Sequence, residues 1–555
     1  MYNNIMMMII IVNMMMMMMM AVSSSSSSSL SATISISQTS ISQTDDVFAC
    51  VAMDFWPSSK CDYGYCPWYN NSIFNIDLNN NLIKNAMLEF NSNVHLRIGG
   101  SLGDFVVYDI GNYDTSKYCV YDDFSDPTNE THAGYELFSG CLKMEKWDEI
   151  NQFAQSVKTD ISFGINALMG RGEPGPCPEG TNCRQGNSSS FNDECCTNWT
   201  GTWDATNARA FMQYSKDKGY NIYAYEFGNE LVGKKGIESH FSVSEYAEGW
   251  KAFTTAISDI YNDSSMPLVV VPDTTWMSDW YGEFLDFCKQ ESLKQPDIVT
   301  HHLYSLGAGS NPDVWKNAIN ATYLDQIDSL GQSVNEVVRS SLPSARIWIG
   351  EAGGAYNSGR DNVTNAMFGG FWYLDQLALF ALNGHQAYCR QAFVGGFYSL
   401  LDNINYQPNP DYYNLLLWSR LMGKQVLRAT SSLVSTDGNL RTYAQCTKDR
   451  KGSVTVLLIN LSNTTTYTIE NINIGENNLL LEQREEYIIS SPVDLTEPIT
   501  EVLGTKNILL NKNPLVVIDN KIPELSPVIS MEKTIEMQPL TYGFVVFPQA
   551  AAAAC

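Results

Sequence analysis

A chain of 555 residues is too long for one ordinary hydrophobic core, so two or more domains are expected. With 44% hydrophobic and 17% charged residues, the composition is that of a globular protein and not of a disordered one. The formal net charge of −26 repels nucleic acid, anionic lipid and polysulfated sugars, which leaves a neutral or weakly anionic ligand as the easier partner.

The N-terminus opens on an apolar run from Ile5 to Val22, nearly all Met, Ile and Val and broken only by Asn13, followed by a Ser run and Ala32. This reads as the core of a secretory signal with cleavage near Ala32, although no Lys or Arg precedes it. An uncleaved anchor is the alternative, and it leaves room for peripheral membrane association. Residues 1–32 are therefore assigned to a signal peptide or anchor and 33–46 to a Ser/Thr-rich linker. Nine Asn-X-Ser/Thr sequons, at Asn70, Asn129, Asn187, Asn198, Asn262, Asn320, Asn362, Asn460 and Asn463, agree with a secretory route. So do the 13 cysteines, among them the close pairs Cys61 and Cys66, Cys177 and Cys183, and Cys195 and Cys196, which read as disulfides. The expected location is secreted, extracellular, or in a lysosome- or vacuole-like compartment. A zinc site would want a paired C-x2-C framework, which is missing, so neither metal nor cofactor is expected. The odd count leaves one thiol over, and Cys288, inside a helical pattern, is the candidate buried free cysteine.

From about residue 47 to 423, β-rich runs alternate with helical patterns. The strand candidates are VFACVAMDF from Val47, VHLRIGG from Val94, DISFGINAL from Asp160, NIYAYEFGNE from Asn221, PLVVVPD from Pro267, DIVTHHLYS from Asp297, ARIWIGEAGG from Ala345 and HQAYCRQAFVGG from His385. Between them MEKWDEINQFAQSVK repeats apolar residues every three to four positions, and VSEYAEGWKAFTTAISDIY and YLDQIDSLGQSVNEVVRSSL behave likewise. FWYLDQLALFALNG ends on Asn383-Gly384, a helix C-terminal signal. Eight such alternations predict a (β/α)8 TIM barrel. The alternative, an open doubly wound sheet, usually carries a Gly-rich phosphate loop after its first strand, and none is present. GRGEPGPCPEGTNCRQGNSSSFNDECCTNWTG, after the third strand, reads as a disulfide-pinned loop on the catalytic face, with a tolerated surface insertion as the preferred interpretation. Residues 424–555 change character. QVLRATSSL, LRTYAQCT, SVTVLLINLS, TTTYTIENI, REEYIISS, PLVVID and YGFVVFP are short alternating runs of a C-terminal β-sandwich domain, a fold that beside a barrel often borrows an N-terminal strand. Cys446 and Cys555 both fall in it, where a bond would tie the last residue to a strand.

Chemistry in such a barrel sits at the C-terminal ends of the strands. YEFGNE ends the fourth strand on Glu230 and WIGEAGG ends the seventh on Glu351, so two carboxylates distant in sequence face each other across the barrel mouth. That pair suits glycoside hydrolysis, with Glu230 as acid/base and Glu351 as nucleophile, roughly 5–5.5 Å apart for a retaining mechanism. The bland alternative is two ordinary loop-facing glutamates. Asn229 is placed to bond a sugar hydroxyl beside the reacting carbon, and Asp54, ending strand one, either contacts sugar or caps a helix. Adjacent His301 and His302 point to opposite faces of a strand, so a shared metal ion is not expected; His301 is taken as the sugar-facing imidazole. Arg97, in LRIGG, either steadies an ionised Glu351 or pairs elsewhere in the core. Ser101 and Tyr304, just past strands two and six, complete the candidate contacts.

Together CDYGYCPW, LRIGGSLGD, FGINAL, YEFGNE, THHLYSLG, WIGEAGGAYNSGR, WYLDQL, YCRQAFVGGFYSLLD and NPDYYNLLLWSRLMG resemble the heparanase family, glycoside hydrolase family 79, and in particular its plant heparanase-like β-glucuronidases. The likeness covers nearly everything from Val47 to Cys555. It implies the barrel with a β-sandwich, retaining exo- or endo-β-glucuronidase chemistry without a metal, the acid/base on Glu230 and the nucleophile on Glu351. It also implies that the glucuronate carboxylate is held by backbone N–H groups of Tyr356-Asn357-Ser358-Gly359 and by Tyr398, with Asn and Ser standing where the animal enzyme's loop has glycines. The sandwich cysteine pair of the family falls on Cys446 and Cys555. The segment from Asp104 to Trp147 is too short for the excised linker of animal heparanase, so a single-chain monomer is expected. The implied partners are a glucuronic-acid-containing glycan of cell walls or proteoglycans, or a small aromatic glucuronide. A β-glycosidase for another sugar and a non-catalytic glycan-binding or matrix protein are the alternatives.

Overall fold

The computed structural model describes residues 28–111, 140–172, 199–237, 239–261 and 266–555. Eight short parallel strands form a closed barrel: β1 Ala49–Asp54, β2 Val94–Gly99, β3 Asp160–Ile165, β4 Ile222–Phe227, β5 Leu268–Val271, β6 Ile298–His302, β7 Arg346–Ala352 and β8 Ala387–Arg390. Each pairs with the next in sequence, and β8 returns to β1 with Tyr388 opposite Ala49. These are the eight strands expected from the sequence. Their apolar character on both faces follows from the architecture, since one face packs on helices while the other fills the barrel. The interior layer at the N-terminal end is Cys50, Ala224, Val270, Ile298, Trp348, Ala387 and Cys389. A disulfide, Cys50–Cys389, joins β1 to β8 there, at positions directly opposite each other in the sheet.

The outer helices match the expected periodic segments. Met144–Val157 buries Trp147, Ile150, Phe153 and Val157, and Val243–Ile260 starts on a capping box between Ser242 and Glu245. Met367–Leu382 is buried on almost every side because it lies between the barrel and the second domain. Its one acid, Asp375, accepts from Arg441 Nε at 2.8 Å and from the Tyr443 hydroxyl of that domain.

The second domain is a mostly antiparallel sheet. Its central order runs Thr465–Ile474, Ser28–Gln43, Met422–Ser431, Leu440–Thr447, Val454–Asn460, Thr541–Phe547 and Arg484–Ser490. The segment 33–46 is thus not a linker. Ser28–Gln43 is a strand, parallel to Thr465–Ile474 and antiparallel to Met422–Ser431, that buries Ala32, Ile34 and Ile36. The alternation in ATISIS has the two-residue period of a half-buried strand, which its serines disguise as polarity. PLVVID is a second correction. Of it only Pro514 lies in a strand, the two-residue Asn513–Pro514; Ile518 makes a lone bridge to Lys521, and Val516 and Ile518 are exposed. A proline without an N–H and side chains without a core to face do not sustain a central strand.

Cys61–Cys66 and Cys446–Cys555 are disulfides, Cys141 is disulfide-bonded, and Cys288 is a buried free thiol. Cys177, Cys183, Cys195 and Cys196, most of the insertion after β3, the apolar run of the N-terminus and the sequons at Asn129, Asn187, Asn198 and Asn262 lie outside the described residues. No helix among the described residues is long and apolar enough to cross a membrane.

Candidate active site

Strand β4 ends at Phe227, and the chain then turns at Gly228 and Glu230, both with positive φ, 74° and 54°. A left-handed glutamate is a costly backbone conformation that the surroundings must hold. Here the Glu230 N–H donates to Asp273 O at 2.9 Å and the Asn229 N–H to the Asp104 carboxylate at 2.7 Å. The turn brings Glu230 against His302, the last residue of β6, whose Nδ1 lies 2.8 Å from Glu230 Oε1. His302 Nε2 lies 2.9 Å from Asp273 Oδ1, just past β5. Asp273 fits there because residue 350 is glycine: a Cβ at Gly350 would meet Asp273 Oδ1 at 2.1 Å.

Arg97, from β2 and 1% exposed, is the hub. Its Nε donates to Glu226 Oε2 at 3.0 Å, Nη1 to Glu351 Oε2 at 2.9 Å, and Nη2 to Asn229 Oδ1 at 2.8 Å and to the Asp273 carboxylate. One guanidinium therefore joins β2, β4, β5 and β7, a fork geometry that lysine does not offer. The second oxygen of Glu351 accepts from the Tyr304 hydroxyl. Both neighbours of Glu351 are thus donors, the setting of an ionised carboxylate.

The surrounding acids divide. Burial raises the Glu230 pKa; the His302 hydrogen bond and charge oppose the shift, and the Glu351 and Asp273 charges add to it. Burial pushes Glu226 up to about 8, against the Arg97 charge and with that of Asp273. Burial and the Glu351 charge push Asp54 up to about 8. Asp273 is held well below the usual carboxylate range, because Arg97 and His302 outweigh its burial. His302 is raised well above the ordinary imidazole value, because Asp273, Glu351 and Glu230 outweigh its burial. The cations Arg97 and His302 thus face the ionised Asp273, while burial works against ionisation of Glu226, Asp54 and Glu230. That arrangement satisfies the rule that buried charge must be paired.

Asp54, at the end of β1, accepts from Gln391 Nε2 at 2.7 Å and is buried beside the Arg97 network. Ser101, half-buried, opens the short helix Ser101–Phe105 that follows β2. After β7, Asn357, Ser358 and Gly359 take positive φ in succession, 57°, 65° and 77°. Gly359 is required, since a Cβ there would meet Thr364 Oγ1 at 2.6 Å and Tyr398 N at 2.9 Å. Tyr356 is half-exposed on this loop, and Tyr398 is buried with its ring centroid 6.3 Å from those of both Tyr304 and Trp68. Tyr304, Tyr398 and loop 356–359 therefore form one wall beside Glu351.

His301 is not in this site. It points out of the barrel, its Nε2 2.9 Å from His385 Nε2 and its ring against Phe380 and Trp276; burial pushes its pKa down to about 3. His301 is therefore not the sugar-facing imidazole expected from the sequence; its neighbour His302 turns into the barrel mouth, where it holds Glu230. Sequence reasoning also missed Asp273, Glu226 and Gln391. Asp273 carried a legible signal, because PLVVVPD ends its strand on a carboxylate just as YEFGNE and WIGEAGG do.

Residues 31–378 match the model of the N-terminal domain of glycosyl hydrolase family 79. The chain is 37% identical to heparanase-like protein 1 of Arabidopsis thaliana, over 93% of each chain. It is 34% identical to the baicalin-beta-D-glucuronidase of Scutellaria baicalensis, over 93% of this chain and 92% of that one. Among solved structures, the 4-O-alpha-L-rhamnosyl-beta-D-glucuronidase of Fusarium oxysporum superposes with a TM-score of 0.61 over 93% of this chain and 100% of that one, at 14% identity.

Proposed function

The chain belongs to glycosyl hydrolase family 79 and is a glycoside hydrolase, and we propose that it is a retaining β-glucuronidase working by double displacement on Glu351 and Glu230. The observation that carries this reading is the unequal treatment of the two acids by one network. Glu351 receives two donors, from Arg97 and Tyr304, whereas burial favours the proton on Glu230. These are the opposite protonation states that a nucleophile and an acid need.

In the first step Glu351 attacks the anomeric carbon while the Glu230 proton passes to the glycosidic oxygen, and the aglycone leaves as an alcohol. Glu230, now ionised, then takes a proton from water, whose oxygen displaces Glu351 and releases the sugar with retained configuration. Charged His302 holds Glu230 in place through Nδ1 while Asp273 holds His302. Asn229 gives its Oδ1 to Arg97, so its amide N–H groups are what remains for the sugar 2-hydroxyl. Asp54 is available to a second hydroxyl. Residues 357 to 359 take positive φ in succession, a backbone suited to an anion cradle, and loop 356–359 with Tyr398 is accordingly assigned to the glucuronate carboxylate. The relative that acts on baicalin, by its name a β-D-glucuronidase, supports that sugar; the aglycone here is proposed to be a glucuronic-acid-containing glycan or a small glucuronide. The three disulfides named above favour an oxidising compartment, secreted or vacuole-like.

The test is hydrolysis of an aryl β-D-glucuronide beside the matching β-galactoside and α-arabinofuranoside. Glucuronide turnover that vanishes in Glu351→Gln, with binding retained, is expected. Turnover of another glycoside alone would reject the sugar assignment, and unchanged turnover in Glu351→Gln would reject the nucleophile.

A further inference from the structure

The segment after β1 carries a feature that the chemistry above does not use. Cys61 and Cys66 close a tight hairpin in which Asp62 and Tyr65 exchange backbone hydrogen bonds of 2.8 and 3.0 Å. Its two central residues, Tyr63 and Gly64, have φ of 55° and 86°, the geometry of a type I′ turn. Short, disulfide-closed and turned in this way, the hairpin is a stiff object.

It is also fastened to loop 356–359. Asn357 Nδ2 donates to the Tyr63 hydroxyl at 2.8 Å, the Ser358 hydroxyl donates to the Asp62 carboxylate, and Trp68 Nε1 donates to Ser358 Oγ at 2.9 Å. Tyr65 stands edge-on to Phe397 with centroids 6.1 Å apart. Farther along, Asn71 Nδ2 donates to Asn403 O at 2.9 Å and Asn403 Nδ2 to Pro67 O at 2.8 Å. The loops that follow β1, β7 and β8, three neighbouring strands of the barrel, are thus joined on one side of the mouth.

Which side this is follows from the shape of the sugar, given the assignment of loop 356–359 to the glucuronate carboxylate, on which this inference rests. In a pyranose the carboxylate-bearing carbon C5 is bonded to C4, and C4 lies across the ring from the anomeric C1. A structure backing the carboxylate cradle therefore stands at the C4 side, opposite the departing aglycone. A glycan that continued beyond the glucuronic acid would leave through O4 into that structure.

We infer that the Cys61–Cys66 hairpin, strapped to loop 356–359, is a wall that confines the site to chain-terminal glucuronic acid residues, making the protein an exo-acting hydrolase that rejects glucuronides substituted at O4. The specificity-determining residues are Asp62, Tyr63 and Trp68, with the disulfide as their frame.

A matched pair of substrates tests it on the unaltered protein: an aryl β-D-glucuronide, and the same compound with a second sugar on O4. The expected result is hydrolysis of the first and a loss on the order of 10²-fold or more in kcat/KM for the second, the size of a misplacement of the reacting atoms. Equal hydrolysis of both would overturn the wall and leave the glucuronidase reading intact; hydrolysis of neither would overturn that reading and the wall with it. Combining Cys61→Ser and Cys66→Ser with Tyr63→Ala should narrow the ratio at least tenfold while the unsubstituted substrate is still cleaved. A ratio that does not move would show that the hairpin is not the obstacle. If the triple variant does not fold, Tyr63→Ala with the disulfide intact gives the same reading, since the Asn357 tie to the hairpin is then cut.

Discussion

His302 holds Glu230 from behind: the imidazole Nδ1 lies 2.8 Å from Glu230 Oε1, and the opposite nitrogen lies 2.9 Å from Asp273 Oδ1. Protonated, His302 donates from Nδ1 to Glu230 while its charge is paired with Asp273, so it fixes the rotamer of Glu230 and leaves the other carboxyl oxygen to carry the acidic proton. His302→Ala should therefore act as a loss of acid catalysis, with kcat down by about 10²–10⁴-fold and KM little changed. The loss should be larger for alkyl glucuronides than for nitrophenyl glucuronides, whose leaving group needs little protonation. A loss independent of the leaving group, or one confined to KM, would assign His302 to binding or to structure.

Arg97 gathers three carboxylates and an amide on one buried guanidinium. Removing it leaves Asp273 and Glu351 without their cation and leaves one barrel layer unbridged. Arg97→Met should cost about 3–5 kcal/mol in urea unfolding, as when one partner of a buried pair is removed. Arg97→Lys should recover only part of that stability and almost none of the activity, because an ammonium cannot serve four acceptors at fork spacing. A stable Arg97→Met protein would show that the network is not held by this charge.

The barrel was legible in the sequence because every strand is short, apolar on both faces and bounded by turn residues, and because Glu230 and Glu351 interrupt that pattern where it stops. The choice between His301 and His302 was not legible, for the same reason. In a strand buried on both sides nothing marks which of two neighbours faces inward. The sheet adds an irregularity: His301 pairs with Ile349 but His302 pairs with Glu351, with Gly350 as the extra residue between. Such a bulge re-aims one side chain, and a count by twos cannot foresee it. Cys50–Cys389 was hidden by its 339-residue separation and by lying inside two strands that looked merely hydrophobic. A borrowed N-terminal strand was foreseeable from the fold, but its place, Ser28–Gln43, was hidden by its serines, whose backbone pairs as well as any other.

Glycan attachment should follow burial and not the sequon count. Asn70, Asn320, Asn362 and Asn463 are exposed. Asn460 is fully buried, and its Nδ2 donates to Thr465 O, Met537 O and Gln538 O at 2.8, 3.0 and 2.9 Å. The nitrogen that would carry the sugar thus ties together two strands and the turn after one of them. Peptide mass spectrometry of protein from a glycosylating host should find Asn460 bare. Asn460→Ala should be destabilising by roughly 1–3 kcal/mol, because buried carbonyls lose their donor. A glycan at Asn460 would contradict the register of this sheet.

The acids of the site also predict how stability changes with pH. Glu226 and Asp54 titrate near 8 in the folded protein, against ordinary values of 4.5 and 3.8. Between those limits the folded state holds more protons than the unfolded one, so stability must fall as pH rises. His302 works in the same direction, since its raised value means that stability is lost as pH climbs through it. Asp273 works oppositely, but its lowered value places its loss in strong acid, below the working range. Urea unfolding should therefore give a midpoint that decreases steadily from about pH 5 to about pH 8, and Glu226→Gln, which cannot ionise, should flatten much of that slope. Activity should fall toward alkaline pH as Glu230, whose pKa burial raises, loses its proton. The two profiles separate in Glu226→Gln, where the stability slope shrinks while the alkaline fall in kcat stays, because the proton lost there belongs to Glu230. A midpoint that rises with pH across this range would mean that Glu226 and Asp54 are ionised in the folded protein, and their raised values would have to be abandoned.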